Sequence, residues 1–451
     1  MEYGILSLIP ILVCFAFIFI SRNAFVAITL GIVTAVIIIF TQSSDFVLFT
    51  AVIDVFSSIS TMQTVLFILI VGAMIKATEL SGGVNGLISY LEKKKINVTS
   101  PVLAQLFAMF MGMCLFVDAT SSMAVTAVVG KPLFDKAKLS KEKLAIITNA
   151  TAAPIAWLIP FGGAGALTTS LIAGVDGISG NAFGYVIGAM PFQLYTICLL
   201  LFLFLSIVLR FEVGSIKNYK YEELENSEKR TTLAGKARNL VIPIVILIVS
   251  IGVILIVTGD GDILKGNSSD AVFYGGIVTL LLTLMFYKLQ NICTVKVCLG
   301  WFFGGIKSML VVTILLAVAL VFSDLLAKIR TANYLVSLLG EMSPNLFPVI
   351  VLLLSAIIGF STGTSGGTVA IVSGLVLPMA VMLDVNISLI LGAIVSGAVF
   401  GDQSTIISDS VILTSSVTKV NSIVHVKTQL PYTITALSIS AVLYLILGFI
   451  L

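Results

Sequence analysis

Sixteen apolar segments follow one another along this chain with few charges between them. They lie at 4–22, 24–42, 47–60, 63–80, 101–117, 119–134, 144–160, 181–209, 239–258, 271–287, 299–326, 334–358, 367–383, 386–400, 404–418 and 430–451. About 20 helical residues cross a hydrocarbon layer, so most of these runs are candidates for membrane helices. Of 451 residues, 58% are hydrophobic and 10% charged, against about a quarter charged in soluble proteins. The pattern predicts an all-α polytopic membrane protein. Gly4 to Ile20 runs on to Ser21-Arg22 and at once meets another apolar run. It therefore reads as a retained spanning helix rather than a cleaved leader. The five cysteines show no CxxC pair, so neither structural disulfides nor zinc sites are expected. A net charge of +3 without a long basic run gives no sign of a nucleic-acid partner.

The shorter segments cluster at 101–175 and 360–418, where Gly, Pro, Ser and Thr interrupt the apolar runs. Non-helical backbone at membrane depth is tolerated only where protein or water satisfies it, so these stretches read as broken helices and re-entrant hairpins lining an enclosed cavity. Between Glu212 and Arg238 the chain carries five acidic and six basic residues, a solvated linker that the positive-inside rule places in the cytoplasm, together with Glu92 to Lys95. "GDGDILKGNSSD" (259–270) then reads as an acidic external turn. The resulting organisation is 1–54 N-terminal helices, 55–210 first repeat and following helix, 211–238 linker, 239–298 connecting helices, 299–429 second repeat and 430–451 C-terminal helix.

The two repeats rest on residue matches. Phe116 to Ser122 sits over Phe360 to Gly366 at an offset of 244, and Ala77 to Leu80 over Phe322 to Leu325 at 245. Thr148 to Thr151 can be set against Gly401 to Ser404 with a short insertion. Paired interrupted segments at matching positions point to a transporter's midplane site. Asp118, Asp402 and Asp409 lie within or beside apolar segments, where a carboxylate is a functional candidate by default. Glu79 and Asp324 read equally well as helix-end charges. Thr120, Ser121, Thr151, Thr362, Thr364, Ser365, Thr368, Ser404 and Ser408 supply hydroxyls near these acids and near Gly363, Gly366 and Gly367. A sodium ion takes carboxylate, hydroxyl and freed carbonyl oxygens, and glycine permits the unwinding that frees the carbonyls. Exposed helix amino ends suit an anionic substrate, so the same parts serve either cargo.

"KPLFDKAKLSKEKLAIITNATAAPIAWLIP" (131–160) and "FGDQSTIISDSVILTSSV" (400–417) resemble the signature segments of the NhaC family of sodium/proton antiporters. "FSTGTSGGTVAIVSGLVLPMA" (360–380) resembles that family's second-half motif, and "HVKTQLPYT" (425–433) its segment before the last helix. The resemblance covers roughly residues 60 to 435 apart from the linker. It implies two inverted-topology repeats, with Asp118 in the first acidic motif, Thr151 to Pro154 in a "STAAP" segment, and Asp402, Ser408 and Asp409 in a "GD…SD" segment. The family also holds malate/lactate exchangers and proteins proposed to carry amino acids. This chain departs from it at Ala119 and Asn149, where many members carry acids, and at Gly366, where an aromatic is common. Fewer charges and more space lean toward an organic substrate.

The expectation is therefore a plasma-membrane secondary transporter, not an enzyme, with Na+ or H+ as coupling ion and no cofactor. Asp118 and Asp402 are expected to share the cation, with Asn149 beside them. A carrier of a small carboxylate solute remains the alternative. Dimerisation is compatible with such a chain, though no stretch demonstrates it. His425, the only histidine, is expected at a cytoplasmic interface and Lys131 as a snorkelling lysine.

Overall fold

A computed structural model describes the chain except for residues 1–2, 22, 43–46, 58, 84–85, 87–99, 115, 117–118, 176, 179–180, 222–234, 262–265 and 339–342. The side chains of some further helical residues, Thr120 and Ser121 among them, also lie outside the described set. Asp118 falls outside it as well, as do the basic stretch after Glu92 and much of the central linker.

The described residues form helices and turns without a strand. In chain order the helices are α1 (Ile9–Ser21), α2 (Ala24–Gln42), α3 (Val47–Ser57), α4 (Ile59–Leu80), α5 (Pro101–Cys114), α6 (Ala119–Ala137), α7 (Lys141–Leu158), α8 (Gly163–Ala173), α9 (Ala182–Ala189) and α10 (Leu194–Val208). They continue with α11 (Arg238–Thr258), α12 (Ser268–Leu289), α13 (Val295–Lys328), α14 (Thr331–Leu338), α15 (Phe347–Thr362), α16 (Ser365–Met382), α17 (Ile387–Ser404), α18 (Asp409–Thr418) and α19 (Ser422–Ile450). Ten spans among the described residues are long and apolar enough to cross a membrane. Two apolar runs break where proline removes an amide donor. The run at 181–209 divides at Met190–Phe192 around Pro191, and the run at 334–358 divides before Pro344.

The repeat is written in the helix starts. Helices α5, α6, α7 and α8 begin at 101, 119, 141 and 163, and α15, α16, α17 and α18 begin at 347, 365, 387 and 409, a constant offset of 246. This corrects the offset of 244 suggested by residue matching, and with it the pairing of Asn149 with Asp402. In helix register Asp402 corresponds to Ala156 and Thr151 to Gly397. The acidic position therefore has no counterpart in the first repeat.

The two hairpins enter from opposite ends. At the α6–α7 end, Lys143 meets Glu212, just past α10, and Ser215 donates to the Lys427 carbonyl near the start of α19. At the α16–α17 end, Ser388 donates to the carbonyl of Tyr185 in α9. The start of α15 lies against Gly448, at the far end of α19. The short helices cross over reciprocally, α8 packing on α16 and α18 packing on α6. That reciprocity is what a two-fold relation between the halves requires.

Outside the repeats, α13 pairs with α4 through facing glycines. A Cβ on Gly305 would stand 2.3 Å from the Gly72 carbonyl oxygen, the close backbone approach that small residues allow in membranes. Helix α13, at 34 residues, is about 50 Å long, more than one bilayer core. Three surface readings change. The start of the linker is partly packed on the bundle, with Ile216 buried while Lys217, Asn218 and Lys220 stay exposed. Cys293 and Cys298 are paired across the turn between α12 and α13, against the expectation of no disulfide. Lys131 is buried. The helix-end reading holds for Glu79 and Asp324, which pair with Lys76 and Lys328.

Candidate functional site

The site forms where α15 and α17 end beside each other. Gly397 and Gly401 line one face of α17, and a Cβ on Gly397 would lie 2.3 Å from the Leu352 carbonyl oxygen of α15. The backbones touch there, which fixes Asp402, one residue past Gly401, beside the break that follows Thr362. Gly363 makes this break in the left-handed conformation, φ +66°, which a side chain disfavours. Ile407 also closes over it, with its Cγ1 2.9 Å from where a Cβ would be.

Asp402 is buried in the last turn of α17, where a helix carries partial negative charge and favours a cation. Ser408 caps α18, accepting from the amides of Ser410 and Val411 at 3.1 and 3.4 Å. With amides on its lone pairs, its hydroxyl proton is directed to Asp402, to which it donates. Ser410 Oγ also donates to the Asp402 carboxylate, at 3.2 Å. Ser365, the first residue of α16, lies near Asp402 and accepts from Trp157 Nε1 at 2.9 Å. Three hydroxyls thus surround one buried carboxylate, a set of hard oxygens suited to Na+.

Thr362, Thr364 and Thr368 complete the break. Thr362 and Thr368 hydroxyls lie 3.1 Å apart, Thr368 donates to the Thr364 carbonyl at 2.8 Å, and Thr364 caps α16 through the Gly367 amide. In front of them opens a cavity of about 530 Å³, bounded by Thr362, Gly363, Thr364, Ile407 and Asp409, with Phe25 and Ile314 opposite. Asp409 is exposed in this cavity, and its neighbour Ser408 donates to Asp402. A Cβ on Gly366 would meet only Leu167 Cδ2, at 3.8 Å, so space is free there, as the sequence suggested.

Other expected residues bond partners other than Asp402. Thr151 returns its hydroxyl to the Ile147 carbonyl at 2.7 Å and packs where α7 crosses Gly112 of α5. Ser404 bonds Thr433 of α19 at 3.1 Å. Asn149 has its amide nitrogen 3.2 Å from His425 Nε2, and its carbonyl accepts from Gln403. His425 itself is fully buried, in the first turn of α19. Asp118, Thr120 and Ser121 lie outside the described residues or side chains. Ala119, first in α6, packs with Ala152, Ala153 and Leu413 of α18.

The interrupted helices facing one another around a buried carboxylate define a secondary transporter of the membrane, not an enzyme. The Na+/H+ antiporter family model matches residues 165–449, and the chain belongs to that family. An uncharacterized protein of Haemophilus influenzae is 28% identical over 417 residues, covering 86% of this chain and 79% of its own length. The malate-2H(+)/Na(+)-lactate antiporter of Bacillus subtilis is 38% identical over 106 residues, 24% of this chain and 23% of that protein. The Na(+)/H(+) antiporter NhaC of Alkalihalophilus pseudofirmus is 29% identical over 110 residues, 24% of each chain. Among solved structures, the fold is shared with Neisseria gonorrhoeae MtrF, TM-score 0.66 at 15% identity, over 91% of this chain and 86% of that one. It is shared also with the Alcanivorax borkumensis YdaH transporter, TM-score 0.64 at 14% identity, over 90% of each chain.

Proposed function

We propose that this protein exchanges external protons for internal Na+ across the plasma membrane by alternating access, with Asp402 as the group that holds either ion. The observation that carries this reading is the enclosure of Asp402 by Ser365, Ser408 and Ser410. Asp402 with Na+ and Asp402 with H+ are both neutral, whereas the empty carboxylate is a buried charge that costs several kcal/mol. Only the loaded forms therefore rearrange readily, which couples one ion to the other without a leak. Asp409, exposed at the mouth, gathers cations, and Asp118 enters as a second ligand. No cofactor takes part, since Na+ and H+ are the cargo.

Exchange of a small carboxylate solute is a second reading, favoured by the free space at Gly366. The neutral Asn149 and the likeness to the malate/lactate antiporter support it, and the amino end of α16 offers amides to a carboxylate. Purified protein in proteoliposomes with an internal pH dye and no organic solute separates the two. A Na+ pulse that shifts internal pH, and does not in Asp402→Asn, supports exchange of Na+ for H+. No shift with folded protein, followed by uptake of malate, lactate or an amino acid, replaces it with the second.

A further inference from the structure

The lysine-rich end of the bundle, bearing Lys419 and Lys427, is separated from Asp402 by α6, α7, α18 and α19, which pack together. Seven polar groups are buried in these helices without a hydrogen-bond partner among the described residues. They are the hydroxyls of Thr126, Thr148, Thr414 and Ser415, with Asn149 Oδ1, His425 Nδ1 and Gln429 Oε1. The large majority of buried side-chain polar atoms have a partner, and each one left without costs about 1–3 kcal/mol. Seven in four adjoining helices therefore call for a polar occupant.

The groups are connected to the ion site. Asn149 approaches His425 Nε2 at 3.2 Å, and Gln403, next to Asp402, donates to the Asn149 carbonyl at 2.7 Å. On α18, Ser410 donates to Asp402, and Thr414 follows one turn later on the same face. The first repeat supplies a contrast. Thr168, Thr169 and Ser170 of α8 stand 246 residues before 414, 415 and 416, and all three return their hydroxyls to carbonyls of their own helix. Thr414 and Ser415 leave theirs open.

We propose that this seam is a second approach to Asp402, a hydrated route for Na+ and H+ from the lysine-rich end. The Asp409 cavity shares none of its residues, so one carboxylate has two separate approaches, as alternating access needs. The seam offers neutral oxygens and an imidazole rather than fixed carboxylates, so it passes a hydrated cation without trapping it. The inference rests on the antiport reading only for the identity of what passes.

The test uses Thr148→Cys and Thr414→Cys in full-length protein lacking its native cysteines, in sealed vesicles. A membrane-impermeant thiol reagent is applied to the side on which the exposed Lys427→Cys reacts. Both seam cysteines are expected to react from that side, with loss of transport, while Thr168→Cys does not. Failure of both to react, in protein that transports, overturns the proposal, as does equal reaction from both sides. Labelling is read independently of transport. Reactive seam cysteines in a protein without Na+/H+ exchange would sink the antiport reading and leave the route standing.

Discussion

Gly401 and Phe360 meet so closely that a methyl on Gly401 would stand 2.3 Å from the Phe360 amide nitrogen. This contact sets Asp402 against the break in α15, because the carboxylate is carried by the next residue of the same helix. Gly401→Ala must push the helices apart, and overpacking costs typically about 1–3 kcal/mol. Lower thermal stability in detergent, together with weaker Na+ binding, is expected. Unchanged binding would separate the crossing from the site.

Gly363 is held at φ +66° beneath Ile407. Gly363→Ala should cost about 1–2 kcal/mol from the left-handed backbone alone, and more from the clash. Gly366→Ala, with nothing nearer than 3.8 Å, should be nearly neutral. Thermal unfolding of the two variants side by side checks the contrast, and equal losses would contradict it.

Trp157 reaches across the repeats to Ser365 at 2.9 Å. Trp157→Phe keeps the ring and removes the donor, so Ser365 is freed to turn from Asp402. A net hydrogen bond is worth about 0.5–1.5 kcal/mol, so Na+ affinity should fall by roughly 2- to 10-fold. Isothermal titration measures it, and wild-type affinity would exclude this positioning role.

Glu212, at the start of the linker, pairs with buried Lys143 at 2.9 Å and accepts from Tyr432 at 2.6 Å. Removing one partner of a buried pair costs about 3–5 kcal/mol. Glu212 retains 37% side-chain exposure, so water offsets part of this, and about 2 kcal/mol is expected for Glu212→Gln. Denaturation in detergent checks it, and an unchanged midpoint would show that the Glu212–Lys143 pair contributes nothing.

The interrupted helices were legible because Gly363, Thr364 and Pro160 break apolar runs by backbone chemistry that needs no partner. The acids at 402 and 409 were legible because a carboxylate within an apolar run is costly. The register of the repeat was not, since chance matches among small residues hid the offset shared by four helix starts. Trp157 and Ser410 became site residues only through packing of one repeat on the other. His425 does carry a sequence signal. On α19, His425, Gln429, Tyr432, Ser440 and Tyr444 recur at helical spacing and are all buried, a polar stripe broken by Ala436 on an otherwise apolar helix. The pairing of Glu212 with Lys143 had no such signal, because the two meet only once α7 and α10 are side by side.

The most direct test of Asp402 as the shared carboxylate is proton release on Na+ binding by solubilised protein in weakly buffered solution. The account predicts that added Na+ releases protons in proportion to the Na+ bound, that K+ releases none, and that Asp402→Asn abolishes the release. Na+ binding without proton release, or full release from folded Asp402→Asn protein, would contradict it.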